Sequence, residues 1–402
     1  LTMSKFNKIV IFTINPITND YARRYGVEFF NKNNIEVIFI NLCVLIYGIK
    51  KTRKAGYDKL NRCKSVTEIS ITSYKELYSY FSSRAFDTVI YLNLTPPAKL
   101  LAMIWKMNLP YISGSLWGGI QNQDWMISRS TIFKRLYKKF IKSPLKLIRK
   151  FNIKLEHLLC KFIISNYPPI LTITKDYEDL LLNQDIKTLL NHTFDYDRFL
   201  LNKELIKPSY IPENKYHVLL PNHAWMIHDY IINDAESDCV MTKDRYTYLI
   251  NKTLDKIESL TKIEIIVAGY PNATKDEDIY INRHFFLEAE TEQLIKYSEG
   301  VITHFTGAIN FAVIHKKPVC IINYTDFLED PRFINPVNSY AQFLGVPVNY
   351  VDNDQQVEDL VLKGLFSVNN ELYRNYRHKF IRSEEIPIEN EKLFWQRVLE
   401  NI

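Results

Sequence analysis

Lys8-Ile9-Val10-Ile11-Phe12-Thr13, the polar loop Asn15-Pro16-Ile17-Thr18-Asn19-Asp20, a helical stretch from about Tyr21 to Asn31 and the apolar run Ile35 to Leu42 (IEVIFINL) together decide the fold. A strand with one wet face alternates apolar and polar residues, so an unbroken β-branched and aromatic run implies burial on both faces. Two such runs joined through a helix make a βαβ unit with parallel strands. Outward from it, runs at Ser65 to Ile71, Thr88 to Leu92 and Tyr111 to Ile112 alternate with helical stretches at Tyr74 to Ser82 and Ala98 to Met107. That rhythm predicts a doubly wound α/β sheet.

The alternation stops near Trp125, where a basic, apolar-striped stretch (131–165) intervenes before a strand at Ile170 to Thr174 and a helix at Tyr177 to Leu182. After Pro208 it restarts, with strands expected at Tyr216 to Leu220, Ile263 to Ala268, Gly300 to Thr303 and Val319 to Asn323, and helices at Tyr246 to Thr261 and Gly307 to His315. We therefore expect two Rossmann-like domains facing a cleft. Residues 1–205 form the first, with the basic insertion, and 206–388 the second; a terminal helix (389–402) crosses back toward the first. Leu1 and Thr2 precede the first methionine, Met3, and stand outside this fold reading.

Composition narrows the class. A chain of 402 residues exceeds one ordinary core. Its 47% hydrophobic and 24% charged content, with only 11 glycines and 16 prolines, is that of a globular protein. Five scattered cysteines, none in CxxC spacing, argue against a disulfide framework and a zinc site and point to a reducing cytoplasm. No apolar run reaches the roughly 18 residues of a membrane span, and no signal-peptide layout is present. The net charge of +6 informs only where it is concentrated.

Ligands of open α/β sheets sit beyond the carboxyl ends of the strands, so three strand exits of the second domain are the places for chemistry. In the first, Val301 to Val313, a strand ends in a small polar turn that opens a helix. Its N–H groups and the Thr306 hydroxyl suit a bound phosphate, although Thr306 equally suits an ordinary helix N-cap. In the second, Gly269-Tyr270-Pro271-Asn272, Tyr270 is placed to stack on a base or reach a phosphate, or the segment is simply a tight turn. The third, Pro221-Asn222-His223-Ala224-Trp225, brings His223 to the same edge, in a structural or a functional role.

The segment His304-Phe305-Thr306-Gly307-Ala308-Ile309-Asn310-Phe311-Ala312-Val313, with Lys317-Pro318 and the strand after it, resembles the donor-binding segment of GT-B glycosyltransferases of capsule and O-antigen biosynthesis. Asn191-His192-Thr193-Phe194-Asp195-Tyr196-Asp197 resembles what such enzymes carry at the end of the first lobe. Relatives that use CMP-activated sugars show His-Pro where this chain has Tyr270-Pro271, and Ser-Ser or Ser-Thr where it has Thr306-Gly307. The resemblance implies a nucleotide-sugar donor held by Gly269, Tyr270, Pro271, His304, Thr306, Gly307, Ala308 and Asn310, to which His223 is added from its place on the third strand exit. It implies a lipid-linked or oligosaccharide acceptor, no metal and no cofactor beyond the sugar nucleotide.

Glycosyl transfer needs a base for the acceptor hydroxyl. Asp20, in the loop leaving the first strand of the first domain, is the carboxylate best placed, and Asp124 the next; Asp20 also suits a helix cap. The insertion carries Lys134, Arg135, Lys138, Lys139, Lys142, Lys146, Arg149 and Lys150 among bulky aliphatic residues, with Pro144 dividing it into two helices. A basic amphipathic helix of this kind suits the anionic inner-membrane surface, the rivals being a solvated face and nucleic-acid binding. The expectation is a cytoplasmic, membrane-peripheral glycosyltransferase that binds no nucleic acid. A sugar-nucleotide epimerase of related fold and a non-catalytic polysaccharide-binding or scaffold protein are the alternatives.

Overall fold

The computed structural model describes residues 6–54, 62–82, 87–92, 96–114, 144–175, 186–222, 241–269, 277–286, 291–387 and 391–402, with the backbone alone at 54, 144–154, 331 and 332. Two parallel sheets organise them. The first holds β1 (Lys8–Thr13), β2 (Glu36–Asn41), β3 (Thr67–Ser70), β4 (Thr88–Leu92), β5 (Tyr111–Gly114), β6 (Leu171–Thr174) and β7 (Thr188–Leu190), in the order β3-β2-β1-β4-β5-β6-β7. The second holds β8 (Tyr216–Leu220), β9 (Glu264–Ala268), β10 (Phe285–Phe286), β11 (Gly300–Thr303), β12 (Val319–Asn323) and β13 (Val348–Tyr350), in the order β10-β9-β8-β11-β12-β13. In each the winding reverses beside the first strand, between β1 and β4 and between β8 and β11, which is where a doubly wound sheet opens a ligand crevice.

The double burial implied by KIVIFT is literal. Ile9, Ile11, Val37, Phe39, Val89 and Tyr91 enter one core of the first lobe. Val10, Phe12, Ile38, Ile40, Ile90 and Leu92 enter another on the opposite face. Strand residues two apart share a face, so a run apolar at every position fills both. The first core is completed from far along the chain, by Phe394, Trp395 and Val398 of the C-terminal helix Phe394–Leu399. A single large core surrounds the second sheet and takes in Tyr196 of the linker helix Phe194–Asn202.

The stretch expected as one helix from Tyr21 to Asn31 is two, Asn19–Arg24 and Val27–Lys32. Gly26 separates them with φ 67°, and a Cβ there would lie 2.5 Å from Cδ1 of Trp395. Left-handed backbone and the approach of the C-terminal helix both demand glycine at this point. The helix expected over Gly307 to His315 is confined to Ile309–Ile314. Strands β7, β10 and β13 and the helices Pro331–Leu344, Asp354–Leu362 and Asn370–Phe380 add to the expected elements, while the helix expected at Tyr177 to Leu182 lies outside the described residues. The described part of a long helix runs over Pro144–Asn166. Among the described residues no helix is long and apolar enough to cross a membrane.

Candidate functional site

The exits of β8 and β11 are tied together at the switch point of the second sheet. The Thr303 hydroxyl donates to the Leu220 carbonyl at 3.1 Å, and Asn222 Nδ2 donates to the Phe305 carbonyl at 3.1 Å. Immediately beyond, two side chains expected to contact the donor are turned into the protein. His304 is fully buried, its Nδ1 2.8 Å from the Ile322 carbonyl and its Nε2 3.2 Å from the Tyr246 hydroxyl. A carbonyl only accepts, so Nδ1 carries the proton and Nε2 receives the Tyr246 O–H. Burial among Tyr246, Tyr324, Phe327 and Phe333 pulls its pKa down to about 4, which keeps the ring neutral. Asn310 is also fully buried, with Nδ2 donating to Asp195 at 2.6 Å and Oδ1 accepting from the Tyr376 hydroxyl at 2.9 Å.

What this exit leaves at the surface is Thr306, Gly307 and Ala308. The N–H groups of Thr306 and Gly307 have no hydrogen-bond partner among the described residues. Thr306 is not the helix cap, since that position falls to Ala308; its hydroxyl accepts only a long 3.4 Å bond from the Ala308 N–H. A helix of six residues adds little dipole, so the turn's own N–H groups are its anion-binding potential. At the neighbouring exit the Gly269 N–H is already committed to the Phe286 carbonyl at 2.8 Å, and a Cβ there would lie 2.6 Å from the Phe285 ring. Gly269 lets β10 close against β9 and does not offer its N–H to an anion. Tyr270, Pro271, His223, Asp124 and the segment holding Lys134, Arg135, Lys138, Lys139 and Lys142 lie outside the described residues, as do the side chains of Lys146, Arg149 and Lys150.

On the first lobe, Asp20 sits in the first turn of helix Asn19–Arg24, whose cap is Thr18 (Oγ1 to Tyr21 N 3.4 Å). Its Oδ2 pairs with Arg24 Nε at 2.7 Å, and Arg24 Nη1 lies 3.8 Å from Asp195 Oδ1. Burial raises the pKa of Asp195, opposed first by the Arg24 charge and then by the Asn310 hydrogen bond, with Asp20 adding to the rise. A continuous polar path therefore runs from the β1 exit (Asp20, Arg24) through the linker helix (Asp195) to the β11 exit helix (Asn310) and on to Tyr376. Arg24, Asp195 and Tyr376 were not among the expected site residues. The polar first turn of the linker helix was a signal, but the partner of Asp195 in the second lobe lies 115 residues away.

The helix Pro144–Asn166 presents an apolar stripe outward. Leu155, Leu158, Leu159 and Phe162 are 45%, 65%, 45% and 59% exposed, whereas Ile163 is buried and Cys160, Ile164 and Tyr167 pack on the first lobe. Trp105 stands beside Phe162, with ring centroids 6.4 Å apart. The inward face is held by Glu156, which accepts the Ala98 N–H at 2.6 Å.

No protein family and no curated protein matches the chain by sequence. Solved structures do match it in shape. The wall teichoic acid polymerase TagF superposes with a TM-score of 0.54 at 15% identity, over 98% of this chain and 88% of that one. A variant of the same polymerase soaked with CDPG gives 0.50 at 14% identity, over 95% and 86%. The spinosyn forosaminyltransferase SpnP gives 0.48 at 10% identity, over 98% and 100%. With its two parallel sheets, each with its switch point, the chain has the two-domain GT-B fold.

Proposed function

We propose that the chain is a glycosyltransferase that moves a sugar from a nucleotide-activated donor to a lipid-linked or growing surface glycan. The observation that carries this reading is the meeting of the two strand-exit edges on one carboxylate: Asp195 is 2.6 Å from Asn310 of the second lobe and 3.8 Å from Arg24 of the first. The two switch points thus open toward each other, as transfer between a donor and an acceptor held by different lobes requires. In this reading the Thr306 and Gly307 N–H groups and the Thr306 hydroxyl hold the leaving phosphate, because open backbone donors stabilise the charge that develops on it. Asp20 takes the proton of the acceptor hydroxyl, its carboxylate oriented by Arg24.

The outward stripe of helix Pro144–Asn166, in a segment rich in lysine and arginine, supports a peripheral position on an anionic membrane, where the acceptor's lipid would lie. A second reading, transfer from CDPG onto a polymer of the wall teichoic acid type, is favoured by one observation: a TagF variant soaked with CDPG is among the structures that share this fold. A thermal-shift series with CMP, UDP, GDP, TDP and CDPG separates the two. A ligand at 100 times its Kd stabilises the native state by about 2.7 kcal/mol, so one of these compounds should raise Tm in a concentration-dependent way. A response to CDPG above the free nucleotides favours the second reading. No response to any of them contradicts both.

A further inference from the structure

A cavity of about 860 Å³ lies at the far end of helix Ile309–Ile314 from the Thr306 turn, between Val313, Ile314, helix Asn370–Phe380 and the segment that returns to the first lobe. Four cationic side chains line it: Lys316, Arg374, Arg377 and Arg382. None of the four has a carboxylate oxygen within 4.0 Å among the described residues. Arg382 is only 6% exposed, and its guanidinium is met by the carbonyls of Ser383 (3.4 Å) and Ile386 (2.6 Å). Arg377 and Arg382 both approach the Tyr196 ring, at 5.4 and 5.5 Å, so two like charges gather round one aromatic side chain. Lys316 stands just past the helix end with φ 52°, a conformation that glycine adopts far more readily.

Three carboxylates line the same cavity. Glu391 is engaged, accepting the Tyr196 hydroxyl at 2.6 Å with Lys203 at 4.0 Å, and Glu371 and Glu384 are exposed. Of the four cations only Arg382 is buried; Arg377 is half-buried and donates to the Tyr196 hydroxyl at 3.1 Å, and Lys316 and Arg374 are exposed. A buried guanidinium is ordinarily paired with an anion, and its fork is the group best matched to phosphate oxygens. We propose that this cavity is a second anion site, which takes a phosphate-bearing ligand. Its volume suits a nucleotide or one or two units of a phosphorylated chain. The assignment does not rest on the donor reading, because a different set of side chains builds it.

Calorimetric titration with inorganic pyrophosphate at low salt tests it, using the wild type, Lys316→Gln/Arg374→Gln and Thr306→Val. Neither Lys316 nor Arg374 makes a side-chain hydrogen bond among the described residues, so the double variant should melt as the wild type does. We expect it to lose about 10-fold or more of the affinity of one class of sites, while Thr306→Val keeps that class. The affinity should also fall as salt is added. Displacement by a glycerol-phosphate oligomer assigns the site to a polymer, and displacement by a nucleoside diphosphate to a soluble nucleotide. Pyrophosphate binding untouched by the double variant, or displaced by neither competitor, overturns the proposal.

Discussion

The helices Asn19–Arg24 and Ile309–Ile314 are both six residues long and both leave a strand at the switch point of their sheet, yet they present opposite chemistry. The first carries Asp20 and Arg24, each 18 to 25% exposed at the side chain and paired with the other. The second is apolar and buried throughout, its one polar side chain, Asn310, consumed by Asp195 and Tyr376. Position in the fold alone therefore does not make a site residue. In the proposed function the first exit works through side chains, whereas the second offers only its turn, Thr306 to Ala308, and works mainly through backbone.

The largest effect expected from this division is on turnover. Asp20→Asn should lower it by about 10²- to 10⁴-fold with donor affinity kept, since a general base contributes that much. Near-normal turnover would leave Asp20 as no more than the partner of Arg24. Next comes the joint between the exits. Asp195→Ala should cost about 1 to 3 kcal/mol in denaturant unfolding, because it leaves the buried Asn310 amide without its acceptor, while Arg24 keeps Asp20. A loss under about 1 kcal/mol would mean that the lobes are held elsewhere.

The second exit should show its neutral character as an acid limit. Burial holds His304, and also His217, down to a pKa of about 4, against about 6.5 when unfolded. A depressed pKa means that the unfolded chain takes the proton first. The stability associated with the neutral ring is whole above about pH 6.5 and is lost as the pH falls toward 4, by roughly 3 kcal/mol per ring at most. Asp195, raised by burial, works in the opposite sense and softens the acid end. Tm followed from pH 7.5 to 4.5 should fall steadily; a flat profile would mean that these rings are not buried in solution. The smallest effect belongs to the one side chain left free in the turn, with Thr306→Val weakening donor binding about 10-fold and leaving Tm unchanged. Unchanged affinity would reduce the second exit to backbone alone.

The same contrast explains what could be known from sequence. Strands β8, β11 and β12 fall on the expected residues because each is a run of apolar side chains buried on both faces, a property local to the run. The break at Gly26 was hidden because the residues around it keep a helical pattern, and the cause, Trp395, arrives from the other end of the chain. His304 was expected to face the donor, but its direction is set by Tyr246, 58 residues earlier, and by the Ile322 carbonyl, which turn it into the core. Gly269 looked like an open anion contact, whereas its N–H is taken by a two-residue strand, β10, too short to leave a periodicity. Elements are thus legible from local pattern, while the assignment of each polar group to a ligand or to the core depends on contacts across the sheet.

Amide hydrogen exchange at single-residue resolution, with and without a saturating nucleotide ligand, tests the central claim most directly. Thr306 and Gly307, whose N–H groups have no partner among the described residues, should exchange fast in the free protein and slow by about 10-fold or more when the phosphate is bound. A nucleotide that binds while these two amides keep their free rate would contradict the account.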